Sequence, residues 1–299
     1  MTAESEFQLS DDLDAEIRRG GETLAAAARA VALTGAGLSV ESGIPPFRGP
    51  GGLWTKYGEP PLDGYQRFLR DPAEAWRDRL NPKQSWARGL RETLAQARPN
   101  AGHKALAELE GAGLLHALIT QNIDDLHRQA GTRSLLEIHG NANLLRCMEC
   151  VTRFDPADVA VDPEDLPPRC PGCGGIVKGD TVQFGEPIPP DVLRGCYDAV
   201  DGCDCMLVVG TSATVYPAAE FPLLVLRSGG TVIEINPYES ELTPLATLSL
   251  RGPGGALLER LLHWAVASRQ GGRLAESADA QRALGERRRA PARGERSAS

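Results

Sequence analysis

The sequence predicts a doubly wound α/β core, a parallel sheet covered by helices on both faces. Three observations carry that reading. Short, continuous apolar runs alternate with amphipathic helical stretches along most of the chain, as strands buried on both faces and their crossover helices do. The apolar runs end in small or polar residues, "GAGLS", "QNID", "HG", "TS" and "NP", and open α/β sheets bind ligands at the carboxyl ends of their strands. Two excursions, about residues 50–100 and about 141–180, are too long or too different in character for simple crossovers. They read as insertions that together make a smaller second lobe.

The elements follow in order. Residues 10–30 pattern as an amphipathic helix, with Ser10 as candidate N-cap and acids in the first turn. "AVALTG" is a short buried strand ending at Gly35. "AEAWRDRL", "WARGLRETLAQA" and "HKALAELEG" are helical. "LHALIT" and "LLEI" are the next strands. "DVLRGCYDAV" is a helix, "CMLVVG" a strand, "PAAEFPLLVLRSG" a helix closed by Gly229, "TVIEINP" a strand and "GGALLERLLHWAVASRQ" a last helix. Residues 270–299 are rich in Arg, Ala, Gly and Ser and read as a disordered basic tail. The organisation expected is an acidic segment and helix over 1–30, one domain over 30–265 and the tail.

A chain of 299 residues, 41% hydrophobic, buries a sizeable core. A formal net charge of −8 argues against a polyanionic partner, so no specific nucleic-acid binding is expected. No apolar run is long enough to span a bilayer. The acidic N-terminus is unlike a secretory signal, which makes a cytoplasmic address the default.

Four of the seven cysteines, Cys147, Cys150, Cys170 and Cys173, have the spacing C-x2-C-x19-C-x2-C. That spacing suits a zinc ribbon. Four thiolates leave the metal no open position, so one structural zinc is expected and not a catalytic one. Cys196, Cys203 and Cys205 lack the spacing and read as buried packing thiols.

"GAGLS" places Gly35 and Gly37 where a dinucleotide loop has its first two glycines, but Val40 stands at the third place. A tight turn without a ligand stays open. No acid ends the next strand where a hydride-transfer enzyme holds ribose, which counts against an ordinary dehydrogenase. Among five histidines, His116 and His263 lie inside strand or helix patterns and read as core or surface residues. His139 ends a strand on the ligand edge, where an imidazole serves equally as a general base or as a structural group.

The ordered set "GAGLSVESGIPPFRG", "TQNIDDLH", "HG", two C-x-x-C pairs, "VQFGE", "GTS" and "INP" resembles the sirtuins, NAD-dependent protein lysine deacylases. The resemblance implies a Rossmann-like large domain and a zinc-plus-helical small lobe, with NAD and an acyl-lysine peptide meeting between them. It implies attack of the acyl oxygen on the nicotinamide ribose, loss of nicotinamide, an alkylimidate, and products that are free lysine and O-acyl-ADP-ribose. His139 matches the catalytic base. Gln121, Asn122, Ile123 and Asp124 match the nicotinamide-ribose segment, with Asn122 and Asp124 as catalytic positioning groups. Residues 35–54 look like the cofactor loop, with Gly35, Ala36, Gly37, Ser39, Gly43, Phe47, Arg48 and Trp54 toward the cofactor. Gly210, Thr211 and Ser212 match the adenine-side loop, Asn236 and Pro237 an adenosine contact, and Gly254 the last cofactor contact. Val182 and Phe184 lie where the family clamps its peptide. Within "TQNIDDLH", Asp125 then reads as a first-turn helix acid and His127 as a packing residue.

The chain departs from the family in places. "KGD" stands where Arg-Pro is common, and Gln183 replaces an apolar or aromatic residue. The Tyr-x-x-Arg pair of members that take acidic acyl groups is incomplete: Trp76 and Arg79, or Arg79 and Pro82, stand there. Acetyl or another neutral acyl group, on lysines of a protein substrate, is therefore the expected cargo of a monomeric enzyme. An ADP-ribosyltransferase or NAD hydrolase on the same scaffold, and a non-catalytic zinc-ribbon module or NAD sensor, are the alternatives.

Overall fold

The computed structural model describes residues 11–289, with side chains as far as residue 271. Helix α1 (Asp11–Ala26) carries Asp11, Asp12 and Asp14 in its first turn, where they favour the positive end of the helix dipole. It stops short of residue 30 because Ala30 already opens strand β1 (Ala30–Thr34). Ser10, the expected cap, lies outside the described residues. A 3-10 segment, Ala36–Ser42, follows β1 and is closed by Gly43 at φ 86°, a left-handed conformation that glycine adopts freely.

Four helices fill the first excursion: α2 (Leu53–Tyr57), α3 (Gly64–Arg70), α4 (Pro72–Leu80) and α5 (Ser85–Gln96). Helix α4 starts cleanly because Asp71 caps Glu74 N at 2.8 Å and Pro72 opens the first turn. Then come α6 (Ala101–Gly111), β2 (Ala117–Thr120), α7 (Leu126–Gln129) and β3 (Leu135–Glu137). The second excursion holds β4 (Leu145–Cys147), β5 (Arg153–Phe154) and β6 (Val177–Gly179). The chain finishes with α8 (Pro190–Val200), β7 (Cys205–Val209), α9 (Phe221–Arg227), β8 (Thr231–Ile235), β9 (Leu248–Leu250) and α10 (Gly254–Arg289).

Six strands form one sheet in the order β3-β2-β1-β7-β8-β9, and every neighbouring pair is parallel. Period-two alternation sends Ala30 and Ala32 to one face, with Ile17 and Leu24 of α1, Leu106 of α6 and Leu261 of α10. Val31 and Leu33 go to the other, with Cys196 of α8 and Phe221 and Val225 of α9. Each fully buried Leu, Ile, Val or Phe side chain contributes about 1.5–3 kcal/mol. The predicted doubly wound core is present. Strand order reverses between β1 and β7, whose last residues, Thr34 and Val209, are in register. Such a switch point opens a crevice at the strand ends.

The cysteine-bearing excursion makes its own antiparallel sheet, β5-β4-β6. Its core is small: Trp76, Leu145, Cys147, Val159, Cys170 and Val177. Trp76 ties α4 to it, donating Nε1–H to the Val177 carbonyl at 2.7 Å. Buried charges replace missing apolar area. Arg146 and Lys178 both pair with Glu186, at 2.5 and 3.1 Å. Asp180 receives Arg153 at 2.9 Å, and Glu137 at the end of β3 receives Arg153 at 3.1 Å. The pairs stitch the small sheet to the large one.

Several sequence expectations are corrected. Strands β4, β5, β6 and β9 and helices α2 and α3 were not foreseen, being only 2 to 7 residues long. Helix α10 continues past residue 270 to Arg289, because the stretch read as tail is rich in Ala, Arg, Glu and Leu, all strong helix formers. Residues 290–299 lie outside the described residues. His116 is exposed at the edge of β2 and His263 is exposed on α10. Cys196, Cys203 and Cys205 are buried as expected, and burial pushes the Cys196 thiol up to about 12.

Candidate active site

The site is built from the loops after β1, β2, β3 and β7, because a parallel sheet sends all its strand ends to one edge. The first and last of these loops pack directly together. Gly37 N donates to the Gly210 carbonyl at 2.8 Å. A Cβ at Gly37 would stand 2.8 Å from Gly210 Cα, and one at Gly35 would stand 2.8 Å from the Gly210 carbonyl oxygen. The two glycines therefore serve the close approach of loop to loop, and their open sides are filled by residues 210 and 211. Gly210 itself has φ 63°.

After β2, Gln121 Nε2 donates to Thr211 Oγ1 at 2.9 Å, bridging the same two loops. Asn122 and Asp124 are buried and face the 3-10 segment. Asn122 Nδ2 donates to the Gly35 carbonyl at 3.1 Å and to Ser39 Oγ at 3.0 Å. Ser39 Oγ donates to Asp124 Oδ2 at 2.6 Å. Asp124 Oδ1 accepts Leu126 N at 3.0 Å. The acid serving the start of α7 is thus Asp124. Asp125, read from the sequence as that acid, sits at φ 68° with no capping bond. Its carboxylate is held by Asn141 Nδ2 at 2.7 Å and by Arg128 at 3.4 Å. Burial pushes the Asp124 carboxyl above its usual range, and the Ser39 hydrogen bond opposes this.

His139 lies two residues beyond β3. Its Nδ1 is 3.0 Å from the Gln121 carbonyl. A carbonyl only accepts, so Nδ1 carries the proton and Nε2 keeps its lone pair. Burial lowers the His139 pKa below 6.5, the Gln121 hydrogen bond opposing it. The ring is a neutral, oriented base. The His139 carbonyl accepts Val182 N at 2.9 Å, and Tyr65 N donates to the Phe184 carbonyl at 3.1 Å. Residues 182–184 are thereby fixed between the base and α3.

A recess of about 350 Å³, counting its open mouth, is lined by Ala36, Ser39, Phe47, Asn122, Ile123 and Asp124. Of its other walls, Ile44, Pro45 and Leu53 fall within the 35–54 loop without having been singled out, and Leu90 and Leu94 were missed. The spacing of Leu90 and Leu94 on α5 was their only signal. Trp54 stacks between Phe47, at 5.2 Å, and Phe184, at 5.7 Å, with the Arg48 guanidinium 4.4 Å over its ring. Asn236 Nδ2 donates to the Thr211 carbonyl at 2.9 Å, Ser212 Oγ is 2.8 Å from Thr214 Oγ1, and Pro237 is exposed beside them. Gly254 lies behind the 3-10 segment, where a Cβ would stand 3.3 Å from Leu38. Glu41 Oε1 accepts Gly255 N at 2.8 Å, so the start of α10 already has an anion.

A family model described as the Sir2 family matches residues 35–217. The chain belongs to the Sir2 family. An NAD-dependent protein deacylase of Pyrococcus abyssi is 45% identical to it over 247 residues, 80% of this chain and 94% of the relative. A solved Sir2 homologue mutant in complex with ADP-ribose matches with a TM-score of 0.71 and 41% identity, over 89% of this chain and 99% of that one. A solved Sir2 homologue–NAD complex matches with a TM-score of 0.69 and 43% identity, over 84% of this chain and 94% of that one.

In this Sir2 chain the four metal-spaced thiols converge, and their sulfur atoms lie within 4.8 Å of one another. Cys147 and Cys173 are 3.5 Å apart, Cys150 and Cys170 3.8 Å. A tetrahedron with Zn–S bonds of about 2.3 Å has edges of about 3.8 Å. The donor set and spacing fit one structural zinc. The metal site belongs to the small sheet and contributes no ligand to the recess. Trp76 and Arg79 also turn to that sheet: Arg79 Nη2 donates to the Ala142 carbonyl at 3.4 Å and packs on Gly179. Among the described residues, no helix is long and apolar enough to cross a membrane.

Proposed function

We propose that this chain removes acyl groups, acetyl foremost, from lysines of protein substrates at the expense of NAD, releasing nicotinamide and O-acyl-ADP-ribose. One observation carries the reading: the His139 ring is fixed through Nδ1 to the carbonyl of Gln121, the residue just before the buried Asn122, which leaves Nε2 its lone pair. In this reading the catalytic domain spans residues 30–265, with the helical segment about 50–100 and the zinc module about 141–180 inserted in the core. It acts as a cytoplasmic monomer.

NAD, when bound, supplies an electrophilic ribose carbon with nicotinamide as its leaving group. The protein's part is to bind, orient and keep water out. The apolar side chains of Phe47 and Ile123 beside Ala36 are the surface against which the departing neutral ring would pack. Asn122 and Asp124, locked through Ser39, position the adjoining ribose. Gln121, Gly210, Thr211, Ser212, Asn236, Pro237 and Gly254 line the path of the rest of the cofactor. Arg48, held over Trp54, sits where phosphate charge needs a cation. His139 Nε2 takes a proton from a ribose hydroxyl, and the peptide lies along Val182 and Phe184. With Trp76 and Arg79 turned to the zinc module, nothing in that segment is arranged to bind an acyl carboxylate.

A panel of acylated peptides incubated with NAD tests this by mass spectrometry. The expected result is O-acyl-ADP-ribose formed only with acylated peptide, fastest for acetyl and slow for succinyl. NAD consumption that ignores peptide acylation contradicts it. The pH profile is a second test. A base must be neutral to act, so rate falls as pH drops through its pKa. Burial lowers the His139 pKa from the ordinary value of about 6.5, so the acid limb of kcat/KM is expected to be centred below that value. An acid limb centred above that contradicts the assignment.

A further inference from the structure

Three buried polar side chains stand outside the mechanism above. Thr34 ends β1 and Thr120 ends β2, and the two are register partners. Both are buried, as is His127. Thr34 donates its hydroxyl to Thr120 Oγ1 at 2.9 Å. His127 Nε2 is 2.9 Å from Thr34 Oγ1. Thr120 Oγ1 accepts Asn122 N at 3.0 Å. Since the Thr34 hydroxyl proton points to Thr120, Nε2–H of His127 must be the donor to Thr34. The bonds join end to end, from the imidazole to the backbone of Asn122.

We propose that Thr34 and His127 are positioning residues for Asn122, acting through this buried chain; the proposal rests on the deacylase reading of the site. Asn122 is held twice. Its side chain is held by Gly35 and Ser39. Its main chain is held only through Thr120 among the hydrogen bonds seen at its N–H. The residue lies two positions beyond the end of β2 and lines the recess, so a shift of its amide moves its side chain there.

The far end of the chain is rigid. The His127 ring packs against His103, with ring centroids 4.8 Å apart. His103 Nδ1 is 2.9 Å from Asn100 Oδ1. Asn100 Nδ2 donates to the Leu38 carbonyl at 2.7 Å and to Ser42 Oγ at 3.0 Å. The path thus starts and finishes on the 3-10 segment that Asn122 faces. Burial lowers the pKa of both imidazoles, that of His103 to about 4 and that of His127 well below 6.5. Neither becomes charged in the working range, so the donor pattern holds. Val is an isostere of Thr without the hydroxyl. Two threonines and an imidazole, buried at these places, each need a partner where an apolar side chain needs none. The cost is offset by a unique placement of Asn122.

The test compares full-length wild type, Thr34→Val, Thr34→Ser and His127→Phe. Two readings are taken: nicotinamide release with NAD and acetylated peptide, and the hydrogen-exchange rate of the Asn122 amide by NMR. Thr34→Val and His127→Phe are expected to lower kcat about tenfold to a hundredfold with peptide KM unchanged, and to speed Asn122 exchange. Thr34→Ser, which keeps the hydroxyl, is expected to restore both. Thr34→Val with wild-type kcat and wild-type Asn122 exchange overturns the proposal, as does Thr34→Ser behaving like Thr34→Val. If Thr34→Val does not fold, His127→Phe cuts the same chain and carries the same outcomes. Failure of the wild type to release nicotinamide sinks the deacylase reading, and the exchange rates still decide the chain.

Discussion

His139→Ala is expected to lower acetyl-lysine turnover by about 10²–10⁴-fold, the usual contribution of a positioned general base, while NAD binding stays close to wild type. The separation follows from the geometry. The cofactor walls come from the loops after β1, β2 and β7 and from α5, and the imidazole touches them only at the Gln121 carbonyl. The contact that fixes residues 182–184 is made by the His139 carbonyl to Val182 N, which alanine keeps. Peptide KM should therefore move little while kcat collapses. The Gln121 carbonyl loses its Nδ1–H partner, but it stands at a part-buried edge where water replaces that bond at small cost. Steady-state kinetics together with calorimetric titration of NAD read the two quantities separately. Near-normal kcat would remove His139 from the mechanism.

Cys170→Ser is expected to have the largest effect on stability. Structural zinc in small folds carries about 10–16 kcal/mol of apparent binding free energy that is also folding free energy. The sheet it supports has strands of three, two and three residues and a core of a few side chains, too little to hold itself together. Losing one thiolate should drop bound zinc from one per chain to nearly none. Loss of the sheet then frees Arg146, Arg153 and Lys178 from Asp180, Glu137 and Glu186, and residues 182–184, which follow β6 by three positions, lose the support on their N-terminal side. Zinc analysis and thermal unfolding measure this directly, with a lowered or split transition expected and a raised peptide KM. A wild-type melting curve would mean that the four sulfurs do not carry a metal.

Much of the large domain was legible because its physics is local. Five of its six strands read as apolar runs, interrupted by charge only at Glu137 at the end of β3 and Glu234 within β8, and full burial of β1 follows directly from residue type. The sixth, β9, is "LSL", too short to show a period. The small sheet was invisible for a different reason. Its strands carry Arg146, Arg153 and Lys178, which read as exposed charges; Arg146 and Lys178 are buried and Arg153 is half-buried, and only the meeting of Glu137, Asp180 and Glu186 makes that affordable. The stretch read as tail carried helix formers and a disordered composition together, and α10 extends through part of it.

At the site, the chain order of motifs already pointed to His139, Asn122, Asp124 and the four cysteines. The cysteines follow from C-x2-C spacing and the polar strand ends from the rule that parallel strands deliver their ends to one edge; the roles of His139, Asn122 and Asp124 came from the resemblance of the ordered motifs to the sirtuins. Tertiary structure decided the rest. It made Asp124 rather than Asp125 the acid that starts α7, because an αL turn at Asp125 swings its carboxylate to Asn141. It brought Leu90 and Leu94 from α5 to wall the recess, and it turned Gly35 and Gly37 to Gly210. It also joined His127 to Asn122 through two threonines. These are contacts between groups far apart in sequence, set by register and packing, and no local pattern encodes which distant partner a buried polar atom will meet.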